Sequence, residues 1–229
     1  EMMLDATQHY DLPLTRERLF GWHASLFPTG RSGMHKIHVG GWRDDAKGLM
    51  HVVSGAIGKE KVHYEAPEAK RLNVEIHKFL KWFNKTTPID PVLKAAIAHL
   101  WFVTIHPFDD GNGRIARAIA DMQLARADAS RQRFYSMSAQ IQRERNVYYS
   151  TLEKTQKGNL TITKWLLWFI ECLDRAISLS EENLSGVMQK AKFWELHQAV
   201  MLNDRQRKML NKLMDGFEGK LTSSKWAKI

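Results

Sequence analysis

The sequence predicts a mainly α fold, a helical bundle carrying one β-hairpin flap. Three observations lead there. Apolar residues recur at three- and four-residue steps along most of the chain. Helix-start signals, Thr15 and the pair Asp90 and Pro91, stand just ahead of such runs. One stretch breaks the rhythm, with β-prone residues on either side of a glycine turn.

The elements follow in order. Thr15 caps a helix through Leu26, ended by the FPTG turn at 27–30. The runs 51–54 and 61–64, joined by GAIG at 55–58, predict a hairpin over about 50–65. Such a hairpin is marginal alone and should lie against the helices. Leu72, Ile76, Phe79, Leu80 and Phe83 share one face of a helix over 67–84, opened by Pro67. Asp90 caps the next helix, with Pro91 at its first position. Leu93, Ile97, Leu100 and Trp101 mark its buried face, and it ends near Thr104. Three more helices are expected over 113–127, 138–156 and 161–182, the last preceded by Gly158 and capped at Thr161 or Thr163. A basic amphipathic helix follows at 204–217, with Leu210, Leu213 and Met214 buried. The chain thus divides into a domain over 1–183 and a helical segment over 184–229.

Composition narrows the class. At 44% hydrophobic and 26% charged residues the chain is an ordinary globular protein, which excludes disorder as the default. The longest apolar run, WLLWFI at 165–170, falls far short of the roughly 20 residues that cross a bilayer. No membrane contact and no secretory leader are expected. Cys172 is the only cysteine, which excludes an intrachain disulfide and a cysteine-based zinc site. The expected setting is reducing and cytoplasmic. The net charge of +9 favours an anionic partner, and 185–229 carry nine Lys or Arg against four Asp or Glu.

The chemistry concentrates in 106–117, reading HPFDDGNGRIAR. His106 sits where a helix ends and a loop begins. Gly111, Asn112 and Gly113 let successive N–H groups turn inward as a nest for anions, because glycine accepts positive φ. A helix starts there and adds the partial positive charge of its N-terminus. Arg114 and Arg117, three apart, reach from one face, and guanidinium groups suit phosphate oxygens. These features specify a polyphosphate site. A carboxylate inside it, Asp110, would repel phosphate unless a cation lay between them, which implies Mg²⁺. A neutral His106 can take a proton from an attacking hydroxyl. The cluster reads as phosphoryl or nucleotidyl transfer. Phe108 fits neither role and should anchor the loop in the core. Each feature alone is ordinary, but their coincidence within twelve residues is not. The sequence holds no P-loop, zincin helix or nucleophile elbow.

The same segment matches the pattern HxFx(D/E)GNGRxxR at every defined position, and so resembles the Fic family. The resemblance extends over most of 1–180, through the hairpin before the motif and Tyr148, Tyr149 and Gly158 after it. It implies a helical enzyme that attaches AMP from ATP to a Ser, Thr or Tyr hydroxyl of a target protein. His106 would be the general base and Asp110 the Mg²⁺ ligand. Gly111, Asn112 and Gly113 would cradle the phosphates, and Arg114 and Arg117 would neutralise them. The hairpin resembles the flap that clamps the target by strand pairing. Its second strand, Lys61, Val62, His63 and Tyr64, would border the nucleotide. Tyr148 matches a tyrosine on the adenine side, and Gln156 stands where many members have Asn. The second glycine and the final arginine, both kept here, favour AMP transfer over phosphate transfer. Removal of AMP is a further activity where a regulatory Glu is present. Many members carry that Glu in an inhibitory helix, (S/T)xxxE(G/N). No such motif precedes the hairpin; 178–183, with Glu182, fits the pattern, but a six-residue pattern this loose also arises by chance. The inhibitory helix is expected upstream of residue 1.

The basic helix at 204–217 and the start of another at 221–229 resemble the opening of a winged helix-turn-helix module, as found after some Fic domains. For this tail, DNA contact, protein contact and homodimerisation stay open. Two other readings compete for the whole chain. One is a Fic-type transferase using another nucleotide or phosphate donor. The other is a DNA-binding regulator whose core only senses nucleotide.

Overall fold

The computed structural model describes residues 1–46, 48–55, 59–217, 219–220 and 222–224. It is mainly helical with two small antiparallel hairpins, and it divides into two compact units, 1–176 and 177–229. The division falls inside the long helix α8 (Thr163–Leu196), whereas the sequence placed a boundary at 183/184.

In the first unit α1 (Met2–Gln8) leads into α2 (Arg16–Leu26), whose cap is Thr15, accepting from the Arg18 N–H. Two short hairpins follow, β1 (Arg31–Ser32) with β2 (His35–Lys36), then β3 (His51–Ser54) with β4 (Lys61–Glu65). The second is the expected flap; most of its turn, 56–58, lies outside the described residues. Its register shifts between Val52 and Val53, a bulge that twists the pair.

The expected helix over 67–84 starts later. Residues Ala69–Arg71 form a 3₁₀ turn and α3 runs only over Leu72–Asn84. The cause is a claim on the backbone from elsewhere: the Ala69 N–H donates to Asp45 and the Pro67 carbonyl accepts from Arg43. α4 (Pro91–Ile105) opens as its sequence signals require, with the Asp90 carboxylate accepting from the Val92 and Leu93 N–H groups. α5 (Asn112–Asp128) packs back along α4. Small side chains, Ala95, Ala96, Ala98, Ala116, Ala118 and Ala120, are buried on the two helices and permit close approach.

The expected helix over 138–156 is two helices, α6 (Met137–Arg143) and α7 (Arg145–Gln156). At the break Glu144 leaves helical geometry, and its carboxylate takes a bidentate fork from Arg175 at 2.7 and 2.6 Å. In the core Trp165, Phe169, Phe79, Phe83 and Phe102 are fully buried, each worth about 1.5–3 kcal/mol over exposure.

In the second unit α8 continues to Leu196, well past the expected 182. A lone exposed Gly186 costs a helix only about 1 kcal/mol and does not stop it. α9 (Asp204–Met214) carries a capping box of Asn203 and Gln206. Its buried residue is Met209 rather than the expected Leu210, Leu213 and Met214, and Leu213 is exposed. Trp194 donates to Asn211 and Lys190 pairs with Asp215. Most of the second helix expected at 221–229 lies outside the described residues, so the winged-helix module stays an expectation. Among the described residues no helix is long and apolar enough to cross a membrane.

Candidate active site

The loop 106–111 joins α4 to α5, and each end is fixed by backbone geometry. His106 caps α4 in the left-handed region, with φ 52° and ψ 57°. Gly111 caps α5 at φ 84°, where a Cβ would meet the Phe27 ring at 2.9 Å, so glycine is required there twice over. Between them the Asn112 side chain closes a ring on the loop. Its Oδ1 accepts from the Phe108 N–H at 3.0 Å and its Nδ2 donates to the Phe108 carbonyl at 2.8 Å. The Asn112 side chain is thus committed to the loop, and only its backbone N–H is left for a ligand. Phe108 is wholly buried, stacked on His23 at 4.2 Å.

The tautomer of His106 follows from one bond. Its Nδ1 lies 3.1 Å from the Val103 carbonyl, which can only accept, so Nδ1 carries the proton and Nε2 keeps a lone pair. Burial pushes the ring down to about 4, against a raising contribution from the Val103 bond. His106 is therefore neutral at physiological pH.

The start of α5 is open. No side chain caps it, so the N–H groups of its first turn lack intrahelical partners. At Gly113 a Cβ would meet only the Arg117 guanidinium, at 3.8 Å. No protein atom demands glycine there, and its bareness keeps the helix end uncovered. Arg114 lies over the Phe27 ring at 4.6 Å and 3.8 Å from the Asp110 carboxylate. Arg117 is half-buried and, among the described residues, makes no hydrogen bond or ion pair. Its charge is felt by the buried Asp121, but its N–H donors are uncommitted and suit an anion.

Asp110 is held at the edge of this nest. Its Oδ1 accepts from the Gly111 N–H at 2.6 Å and its Oδ2 accepts from the Ser32 hydroxyl. The neighbouring Asp109 accepts from the His38 N–H at 2.8 Å. A single half-exposed carboxylate beside open phosphate donors is a donor set that fits Mg²⁺ shared with substrate phosphates.

The flap stands close by through its second strand. Tyr64 donates its hydroxyl to the Thr104 carbonyl at 2.9 Å, two residues before His106. His63 meets Glu153 at 2.7 Å and the Ser54 hydroxyl at 2.6 Å, while Lys61 and Val62 are exposed. Gln156 donates to the Thr104 hydroxyl at 3.2 Å. Tyr64, Gln156 and His106 thus gather at the end of α4. Tyr148 does not join them. It is only 2% exposed, its hydroxyl 3.1 Å from the buried His99 and its ring among Trp165 and Trp168. Tyr148, expected on the adenine side, is packed in the core here, its hydroxyl paired inward.

Three supports of the loop carried no sequence signal. Arg43, 2% exposed, donates Nε to the His106 carbonyl at 2.8 Å and its backbone N–H to the Pro107 carbonyl at 2.9 Å. It also pairs with Asp45 at 2.9 Å. His23 accepts from the Gly40 N–H and donates to the Asp110 carbonyl at 3.2 Å, which fixes its neutral tautomer. Ser32 is the third. Each is 63 or more residues from its partner in the loop, so spacing could not reveal it.

Comparison with known proteins places this geometry. Residues 13–124 match the Fic/DOC family. A protein named protein adenylyltransferase Fic, from Drosophila yakuba, is 31% identical over 106 residues, 45% of this chain and 20% of its own length. The chain thus spans about a fifth of the curated relatives it matches. A crystal structure of a Fic domain containing signaling protein from Bacteroides thetaiotaomicron superposes with a TM-score of 0.60 at 21% identity. That match covers 78% of this chain and 66% of the other. A Fic family protein from Desulfovibrio desulfuricans gives 0.61 at 20% identity, covering 99% of this chain and 59% of its own. Both share the fold.

Proposed function

Residues 13–124 are a Fic/DOC family domain, and from that premise we propose that the chain transfers AMP from ATP to a hydroxyl of a target protein. The observation that carries the reading is the pairing of a neutral His106, whose Nε2 is free, with an uncapped helix start six residues on. The relatives named protein adenylyltransferase support the same class of reaction.

The bond changes are simple. His106 Nε2 takes the proton of the target hydroxyl, and that oxygen attacks the α-phosphorus of ATP. The bond from the α-phosphorus to its bridging oxygen breaks and pyrophosphate leaves with the electron pair. The N–H groups at the start of α5 and the guanidinium groups of Arg114 and Arg117 hold the phosphates in line and offset their charge. Asp110 would hold Mg²⁺, with Ser32 and the Gly111 N–H orienting its carboxylate. Such an ion supplies charge neutralisation on the phosphate oxygens. The flap, tethered by Tyr64, offers its open strand edge to the target segment.

Intact mass after incubation with ATP and Mg²⁺, beside His106→Ala and Arg117→Ala, tests the reading. One added AMP in the wild type alone is expected. The chain and candidate targets all staying unmodified, with no Mg²⁺-dependent ATP binding, would remove it.

A further inference from the structure

At the end of the α4/α5 pair remote from the catalytic loop lies a cleft of about 480 Å³. It is bordered by Lys94 from the first turn of α4 and by Gln123 and Arg126 from the last turns of α5. Gln123 is eleven residues beyond the start of α5, about 16 Å along the helix. The site described above does not reach it.

Three features of the lining are unusual together. Gln123 is only 5% exposed, yet its Oε1 has no hydrogen-bond partner among the described residues. The hydroxyl of Thr87, also lining the cleft, is likewise buried without a partner. Folded proteins leave few buried polar groups unsatisfied, and each such group calls for an explanation. Lys94 is 7% exposed; its ammonium lies over the Trp82 and Phe83 rings at 5.6 and 5.8 Å and gives one hydrogen bond, to the Lys85 carbonyl at 2.7 Å, out of three donors. Formal charge is one-sided: Lys85, Lys94 and Arg126 face the cleft against Asp11 alone, three positive to one negative.

We propose that this cleft binds a small organic anion, which sets a carboxylate or phosphate against Lys94 and gives a hydrogen-bond donor to Gln123 Oε1. The anion answers the surplus charge and the spare ammonium donors; its donor answers the orphan amide oxygen. Arg126 is committed elsewhere, donating to the Tyr10 and Leu12 carbonyls, and serves as a fixed positive charge on the wall. Burial lowers the affinity of both Lys94 and Arg126 for their protons, and the neighbouring Arg126 charge lowers that of Lys94 further. A bound anion reverses that pressure. The inference stands apart from the proposed transfer reaction and shares no residue with it.

The test is an amide-resolved NMR titration of the whole chain with citrate and, separately, glycerol 3-phosphate, at constant ionic strength. Saturable shifts are expected at 84–94 and 123–126, and the probe that binds more tightly tells carboxylate from phosphate. Gln123→Leu and Lys94→Met should each weaken binding by about tenfold or more. Thr87→Val is the gentler third variant. Circular dichroism establishes that each variant is folded before it is titrated, and the wild-type map decides the matter if none is. No saturable shift with either probe, shifts confined to 109–117, or undiminished binding by folded variants would each overturn the proposal.

Discussion

His106 shows how much of the candidate chemistry is decided at a single residue. A non-glycine residue at positive φ is uncommon and must be held there by its surroundings. Arg43 supplies the hold by binding the His106 and Pro107 carbonyls on one side and Asp45 on the other. Replacing it with Met would strip the guanidinium donors from the His106 and Pro67 carbonyls and the partner cation from Asp45, leaving only the backbone bond to Pro107. Urea unfolding of Arg43→Met should then show a loss of about 3–5 kcal/mol, with Arg43→Lys intermediate. A loss under about 1 kcal/mol would show that the loop does not depend on it. The pH dependence follows from the depressed pKa of His106. A base works unprotonated, and this ring stays so down to about 4, so kcat/KM should be level from about pH 7.5 to 5.5 and fall only below about 5. An acid limb near 6.5, the ordinary imidazole value of about that size, would mean that the working ring is hydrated. Stability shifts with the same sign. The folded ring holds its proton less well than the unfolded one, so stability present above about 6.5 is lost as pH falls toward 4. The motif itself was legible because its residues are consecutive. Arg43, His23 and Ser32 were not, because folding alone brings them to the loop.

Elements were legible where their signals are local. Thr15 and Asp90 cap the helices they precede because the acceptor and the orphan N–H groups lie within three residues. Two departures, the late start of α3 and the break at Glu144, were set by Asp45 and Arg175, partners 24 and 31 residues away. The inward partner of Tyr148 was hidden for the same reason, since His99 is 49 residues back. The flap adds a testable case, because one side-chain bond from Tyr64 ties it to the end of α4. A net hydrogen bond of about 0.5–1.5 kcal/mol corresponds to roughly two- to tenfold in an opening equilibrium. Tyr64→Phe should accordingly speed amide exchange in β3 and β4 by that factor while leaving α4 protected. Unchanged exchange in the flap would show that the hydroxyl carries no tether. Helix α4 supplies the converse case. Asp90→Ala removes a cap serving two N–H groups and should cost about 1 kcal/mol of global stability by thermal unfolding.

Across the whole molecule the apolar residues are unevenly shared. The buried cluster runs from Met2 to Ala176 and lies wholly in the first unit. In the described part of the second unit Met209 alone among apolar residues is buried, while Leu184, Val187, Met188 and Leu196 are exposed. The basic surplus of the last fifth of the chain falls in this same unit. A segment that buries so little apolar surface cannot offset the entropy of ordering its own backbone. Stability should therefore reside in the first unit, and the two parts should behave differently when separated. A chain ending at Asn183 keeps every residue of the buried cluster and the fork between Glu144 and Arg175. It should unfold in one cooperative transition, with Tm within a few degrees of the full chain as judged by circular dichroism, since about 1 kcal/mol moves Tm by only a few degrees at this size. The isolated segment 177–229 should give a shallow, non-cooperative melt. If the shorter chain instead lost its near-ultraviolet signal while keeping helical content, tertiary packing would depend on residues beyond 183, and the first unit would not be an independent domain.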